Sequence, residues 1–452
     1  MCGIVGYIGE KDATPIILNG LRRLEYRGYD SAGIAVMQDG HIELRRDAGK
    51  LSNLTSLVDQ MPLSGRIGIG HTRWATHGEP SARNAHPHMT KNGDVVVVHN
   101  GIVENFLELR EELSDEGVEF HSDTDTETIV HLVERHLSVT NDLTEAVRRT
   151  LGMLKGAHGV VVISITEPDK IVAARIGNAG GVVIGLGQGE NYVASDIPAI
   201  LEHTRRMIFL ESGQMAVVSA AAVQVTTLDG KAVRPQVHTV AWDPVSAEKG
   251  EYRHFMQKEI HEQVRSLTDT LAGRVDFDEG RIRLPQLNLD AQGARAINKI
   301  HITACGTAAY AGMVGKILIE RIARIPVEFQ IASEFRYNDP LVQPGDIVLA
   351  ISQSGETADT LAAMDEGRKR GAKLWSIVNA IGSQAMRVAD GYISMQSGPE
   401  IGVASTKAFT APLVDLYMLA VLLADLRGTL PESERRRLVN DLRLVPDLVG
   451  KC

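Results

Sequence analysis

Cysteine, aromatic rings and positive charge are all scarce in this 452-residue chain, and each scarcity excludes something. Only Cys2, Cys305 and Cys452 carry thiols, far apart and without a CxxC spacing, which excludes a disulfide framework or a zinc site and fits a reducing, cytoplasmic setting. No metal or cofactor is expected. Aromatics make up 4% of the residues, so the cores must be aliphatic. A net charge of −10 lacks the basic face that nucleic acid requires, and anions must be held by local geometry. No apolar run reaches the ~18 residues of a membrane helix. The longest, Ala411 to Ala424, is broken by Asp415. The first residues show no basic region followed by an apolar stretch, so no secretory signal and no membrane partner are expected.

What is present is an ordinary globular composition, 44% apolar and 23% charged, long enough for two or three domains. The start, Met1-Cys2-Gly3-Ile4-Val5-Gly6-Tyr7, is distinctive. Once Met1 is removed, Cys2 carries a thiol and an α-amine on one Cα. The amine, titrating near ~7.7–8.0, can take the thiol's proton. Ile4 to Ile8 reads as a strand that would hold this terminus in a sheet.

Residues 2–240 read as a first block of Val/Ile-rich strands with two or three amphipathic helices. Strands are expected at Ile67–Thr72, Val95–His99, Val160–Ile165, Gly181–Gly187 and Met215–Val225, and a helix at Thr126–Leu137. Residues 241–290 read as a connector, with a turn at Trp242-Asp243-Pro244 and one helix over Tyr252–Leu271. From 291 to 430 strand and helix alternate, the pattern of a doubly wound parallel α/β sheet. Residues 431–452 read as the start of a linker.

Polar side chains cluster at strand ends in the first block. Arg73, in His71-Thr72-Arg73-Trp74-Ala75-Thr76-His77-Gly78, has the fork geometry to clamp a carboxylate, or else is a solvated loop cation. His86-Pro87-His88 lacks a nearby third ligand for a metal. Asn100 and Gly101 end a strand, where an amide N–H and a backbone N–H can form an oxyanion hole or a plain turn. Asp125 suits either an ammonium or a helix cap. In the second block, Ala304-Cys305-Gly306-Thr307-Ala308 and Ser352-Gln353-Ser354-Gly355-Glu356-Thr357 are strand–turn–helix junctions rich in hydroxyls. Such turns either cap helices or cradle a phosphate. Two of them in one sheet, with Glu400 to Lys407, favour a phosphosugar.

The opening Cys2 motif, Leu24 to Gly33, the Arg73 loop, Asn84 to His88, His99-Asn100-Gly101 and Thr124 to Glu127 together resemble the N-terminal-nucleophile glutamine amidotransferases. The resemblance implies an αββα sandwich in which Cys2 attacks the glutamine side-chain amide with its own α-amine as base. It implies that Asn100 and Gly101 hold the oxyanion. Arg73 would take the substrate carboxylate and Asp125 its ammonium, with Thr76, His77 and His86 completing the pocket.

The second-block turns resemble the sugar isomerase fold. The order of parts, with Tyr252 to Ile260 between, is similar to the isomerising glutamine–fructose-6-phosphate aminotransferase family. That likeness implies a homodimer using glutamine and fructose 6-phosphate, making glucosamine 6-phosphate at the first step of hexosamine synthesis. It implies sugar-phosphate contacts from Thr307, Ser352, Gln353, Ser354, Thr357 and Val403, and an ammonia gate at Trp74. Two departures stand out. Ala308 replaces a common serine, and the family continues into a second sugar isomerase domain, with a general base and a Schiff-base lysine, that has no counterpart here. Lys407 is read as a support of the sugar site. The alternative is a glutaminase with a phosphosugar-sensing domain. A phosphoribosyl-transferring relative is disfavoured, because no strand leads into paired acidic residues and a Thr/Ser loop.

Overall fold

The computed structural model describes residues 2–178, 180–240 and 250–452, in two compact units, 1–244 and 245–452. The turn expected at Trp242-Asp243-Pro244 lies outside the described residues.

The first unit has strands β1 (Gly3–Ile8), β2 (Ser31–Gln38), β3 (His41–Ala48), β4 (Ile67–Arg73), β5 (His88–Met89), β6 (Val95–Gly101), β7 (His158–Ser164) and β8 (Ile171–Ile176). Seven more follow: β9 (Val183–Leu186), β10 (Asn191–Ala194), β11 (Arg206–Phe209), β12 (Gln214–Val218), β13 (Val223–Thr227), β14 (Ala232–Val233) and β15 (His238–Thr239). They form two sheets, ordered β15-β11-β9-β10-β1-β4-β2-β3 and β14-β13-β12-β8-β7-β6-β5. The helices are α1 (Ala13–Leu24), α2 (Leu51–Gln60), α3 (Phe106–Asp115), α4 (Thr126–Thr140) and α5 (Leu143–Met153).

Alternation along single strands produces the layers. In β1, Val5 and Tyr7 pack with α1 and α2, while Ile4 and Ile8 face the other sheet. In β6, Val96 and Val98 join the inter-sheet core and Val95 and Val97 meet α3 to α5. Period-two side chains buried on both faces require a layer on each side. The result is the αββα sandwich. Each fully buried Val or Ile contributes about 1.5–3 kcal/mol.

The helix count exceeds the two or three expected. α1 was hidden by Gly20, a poor helix former that lets the helix lie close to β1. A Cβ there would meet Val5 and Ala199 O at 2.9 and 3.0 Å. The Met215–Val225 run is a hairpin, β12 and β13, because Ser219 to Ala222 turns without Gly or Pro.

The second unit begins with α6 (Phe255–His261) and α7 (Gln263–Leu271), separated at Glu262 where one helix was expected. A small hairpin follows, β16 (Val275–Asp276) and β17 (Arg281–Ile282), then α8 (Ala291–Ala296). Strands β18 (Ile300–Ala304), β19 (Val327–Ile331), β20 (Ile347–Ser352), β21 (Lys373–Val378) and β22 (Gly391–Ser394) pair in parallel, in the order β19-β18-β20-β21-β22. The intervening helices are α9 (Gly306–Ile322), α10 (Ala332–Phe335), α11 (Ala358–Lys369) and α12 (Gln384–Val388), followed by α13 (Lys407–Arg427).

Contrary to the expectation of no such run, α13 is long and apolar enough to cross a membrane by length and composition. It is instead the core helix of this unit, packed on α9, α7 and α8. Its buried Asp415 is matched by Arg274 at 3.0 Å. The residues read as a connector also join this core through Leu267, Leu271, Ile282 and Leu287. Those read as a linker fold as α14 (Glu432–Leu442) and α15 (Val445–Gly450), with Val439 and Leu442 buried in the same core.

Candidate active site

Antiparallel pairing places Cys2. Gly3 opposes Thr72, so Cys2 lies beside Arg73 where β4 ends. β1 is hydrogen-bonded on both flanks, to β4 and β10, which fixes the terminus. Ser195 adds a clamp by accepting from Ile4 N at 2.9 Å and donating its own N–H to Ile4 O at 3.0 Å.

Cys2 Sγ accepts from Trp74 N at 3.2 Å and lies 3.6 Å from Trp74 O. Burial pushes the thiol pKa up, while the Trp74 N–H and the positive charges of the amino terminus, Arg73 and Arg27 pull it down. Asn100 Nδ2 donates to Cys2 O at 3.1 Å. Next to it, Gly101 has φ +133°, and an added Cβ would overlap Ala157 O, so the turn requires glycine.

The Arg73 loop is held by the 27–33 segment. Asp30 N donates to Arg73 O at 3.0 Å, and Asp30 Oδ2 accepts from Ala75 N at 2.8 Å. A Cβ on Gly28 would meet the Arg73–Trp74 peptide, and one on Gly33 would overlap His86 O. Arg27 is buried and paired with Asp196 at 2.6 Å. Arg73 itself is buried, its guanidinium donating to the carbonyls of His77, Gly78 (3.2 Å) and Glu79 (3.5 Å). Trp74 is 42% exposed, with its ring edge-on to Tyr29. Thr76 is exposed, and His77 packs edge-on against Phe106.

Behind Asn100 runs a wall of buried imidazoles. His71 lies against His86 with centroids 4.3 Å apart and ring planes tilted by 38°, and His86 meets His88 edge-on at 4.9 Å. Burial lowers the pKa of His71 to about 3 and that of His86 well below its usual value. His86 is therefore a neutral, enclosed ring. Asp125 starts α4 without capping it. Its Oδ2 accepts from Val103 N at 2.8 Å, two residues past Gly101.

In the second unit the strand order reverses direction between β18 and β20, the switch point at which open α/β sheets hold ligands. Ala304 pairs with Ile351, so the turns at 305–307 and 352–357 leave adjacent strand ends. Neither α9 nor α11 donates a backbone hydrogen bond to its N-cap side chain. Ser352 Oγ binds Gly355 N and Thr357 Oγ1, both at 3.0 Å, and Ser354 Oγ accepts from Glu356 N at 3.2 Å. Gln353 and Ser354 are half-buried, Thr307 is exposed and Val403 is 77% exposed. No described contact joins Thr307 or Val403 to the Ser352 turn directly.

Asn379, which no sequence signal singled out, and Glu259, which lies in the Tyr252 to Ile260 stretch but was given no role there, tie these loops together. Gln353 O accepts from Asn379 N at 3.1 Å, and Asn379 binds Gly398 O and Ser397 Oγ through its side chain. The buried Glu259 accepts from Ile401 N (2.6 Å) and Gly402 N (3.0 Å). Glu400 accepts from Thr406 N and Ala408 N at the start of α13. Lys407 is buried and paired with Glu262 at 2.7 Å. His71 and Asp30 lie in recognised stretches without a role assigned from sequence, and Ser195 was missed. Ser195 lies 191 residues from its partner Ile4, beyond any local pattern.

Residues 58–241 match the glutamine amidotransferase domain family, and residues 295–422 the SIS domain family. The chain is 50% identical over 451 residues to the glutamine–fructose-6-phosphate aminotransferase [isomerizing] of Symbiobacterium thermophilum, covering 100% of this chain and 73% of that protein. A protein of that name from Thermus thermophilus is 48% identical over 449 residues, covering 99% and 73%. Among solved structures, the C-terminal domain of glucosamine-fructose-6-phosphate aminotransferase from Francisella tularensis aligns at 36% identity with a TM-score of 0.42, covering 44% of this chain and 56% of that one. Half of all residues shared along the entire chain is far more than a common fold requires, and the chain belongs to the isomerising glutamine–fructose-6-phosphate aminotransferase family.

Proposed function

We propose that this chain takes the amide nitrogen of glutamine for transfer to fructose 6-phosphate, yielding glutamate and glucosamine 6-phosphate. The observation that carries it is the Cys2 thiol held on the Trp74 amide with Asn100 Nδ2 on the same residue. With Met1 removed, Cys2 Sγ attacks the glutamine Cδ and its proton passes to the α-amine. Asn100 Nδ2 and the Gly101 N–H stabilise the oxyanion. The protonated amine gives its proton to the departing nitrogen, ammonia leaves, and water hydrolyses the Cys2 thioester. Arg73 holds the substrate carboxylate and Asp125 its ammonium. Thr76, His77 and the buried His86 shape the pocket, and the Trp74 ring gates the ammonia. Catalysis by a thiol fits a reducing, cytoplasmic compartment.

The sugar phosphate sits at the switch point of the second unit. Ser352, Gln353, Ser354 and Thr357 hold the phosphate with the help of the helix N–H groups, and Thr307 and Val403 meet the sugar. The assembly is a homodimer. In support, Tyr310 (63% exposed), Met313, Val314 and Ile317 (61%) lie at i, i+3, i+4 and i+7 on α9 and leave an apolar face uncovered.

The test supplies glutamine and fructose 6-phosphate together and assays both glutamate and glucosamine 6-phosphate. Formation of both products supports the reading. Glutamate without amino sugar, with fructose 6-phosphate still bound, would reassign the second unit as a sensor.

A further inference from the structure

We propose that His71 is a positioning residue that sets which end of the Asn100 amide faces the reacting carbon. The inference rests on the reading above, in which Asn100 Nδ2 meets the oxyanion. His71 lies on β4 with no exposed surface. Its Nε2 is 3.1 Å from Asn100 Oδ1 and 3.2 Å from His99 O. A backbone carbonyl only accepts, so Nε2 bears the hydrogen and donates to both. Asn100 Oδ1 is thereby occupied as an acceptor, and the amide nitrogen must turn the other way, towards Cys2. Among the described residues His71 is the one side chain that donates to Asn100 Oδ1.

The opposite orientation would aim a carbonyl lone pair at a developing negative charge, turning a stabilising donor into a repulsive group. The imidazole is suited to a fixed donor and not to proton transfer. Its Nδ1 has no partner among the described residues. Its face is closed by His86, and both burial and nearby Arg73 oppose the charged form. Neutral His71 therefore holds one tautomer.

The experiment uses the processed full chain. His71→Phe keeps a ring and removes the donor, while His71→Gln restores an N–H of similar reach. Expected is a ~10²-fold loss of kcat for glutamate release in His71→Phe, the scale of a lost oxyanion donor. KM for glutamine should stay within about threefold, and His71→Gln should recover most of the loss. Iodoacetamide should alkylate Cys2 at the wild-type rate in both variants. If His71→Phe does not fold, His71→Asn, polar but too short to reach Oδ1, replaces it with the same expectation. In an Asn100→Ala background, removing His71 should cost nothing further.

A raised KM at unchanged kcat, equal losses in the Phe and Gln variants, or a full additional loss beside Asn100→Ala would overturn the inference. The underlying reading fails separately. Asn100→Ala with wild-type kcat would remove the oxyanion role itself, whereas an impaired Asn100→Ala beside an active His71→Phe would remove only the role of His71.

Discussion

Around Cys2 the side chains of His71, Arg73 and Asn100 are buried and already hydrogen-bonded, whereas at the carboxyl edge of the parallel sheet hydroxyls and helix N–H groups ring an open turn. His71 spends its N–H on Asn100 and a carbonyl, and Arg73 fixes three carbonyls. In contrast, α9 and α11 begin without side-chain caps, and Val403 stands in solvent. The difference follows the chemistry. Amide attack creates charge where there was none, so its stabilising dipoles must be set beforehand. A phosphate arrives charged, and exposed N–H groups suffice to receive it.

The largest effect should come from the site that is built in advance. Cys2→Ala should reduce glutamate release by at least ~10³-fold, since Cys2 carries the one thiol of the first unit. Its thermal midpoint and its affinity for fructose 6-phosphate should not change. Loss of sugar-phosphate binding in that variant would break the separation of the two sites.

Gly101→Ala tests how tightly the oxyanion turn is specified. The added Cβ meets Ala157 O at a φ that side chains avoid, so the turn must shift or strain by about 1–3 kcal/mol. Expected is a ~10²-fold fall in kcat together with a lower thermal midpoint. Unchanged kcat would show that the Gly101 N–H is not needed.

At the open site single losses should be smaller. Ser354→Ala removes one hydroxyl from a turn that keeps its backbone donors, and should weaken fructose 6-phosphate binding about tenfold, or ~1.4 kcal/mol, by calorimetry. A thousandfold loss would mean that this turn is as interlocked as the Cys2 wall.

The sequence revealed the parts of both sites that lie in short contiguous stretches at strand ends. Cys2, Arg73, Asn100, Gly101 and the Ser352 turn are of this kind, because a strand end delivers neighbours in sequence to one place. It concealed the supports that come from elsewhere. Ser195 reaches Ile4 only after the sheet has formed, and Glu259 holds Ile401 and Gly402 from a helix some 140 residues earlier. His71 was inside a quoted motif, yet its role depends on β4 and β6 lying in facing sheets. The αββα layers were implied by the family resemblance, while the apolar runs of β1 and β6 by themselves say only that both faces of each strand are covered. The Met215–Val225 hairpin was not, since its turn carries no glycine or proline, and neither were α14 and α15, whose polar residues outnumber the buried Val439 and Leu442.

The two units should also respond to acid with opposite sign. His71 is held at about 3 against an unfolded value near ~6.5, so the unfolded chain takes up a proton that the folded chain refuses. Its contribution is complete above pH ~6.5 and is lost as pH falls towards 3, at up to ~1.4 kcal/mol per pH unit. His86, His88 and His99 are lowered by burial in the same direction. In the second unit, burial raises Asp415 to about 7 against the opposing pull of Arg274. There the folded chain holds the proton, so that contribution is complete below pH ~4 and is lost as pH rises through 7. Amide hydrogen exchange between pH 4.5 and 6.5, corrected for the intrinsic rate, should show β1 and β6 opening more easily as pH falls and the α13 core closing. His71→Gln should lower the first slope by about one proton, and Asp415→Asn should flatten the second. Parallel slopes in the two units would mean that the buried imidazoles and the buried carboxyl do not set the acid response.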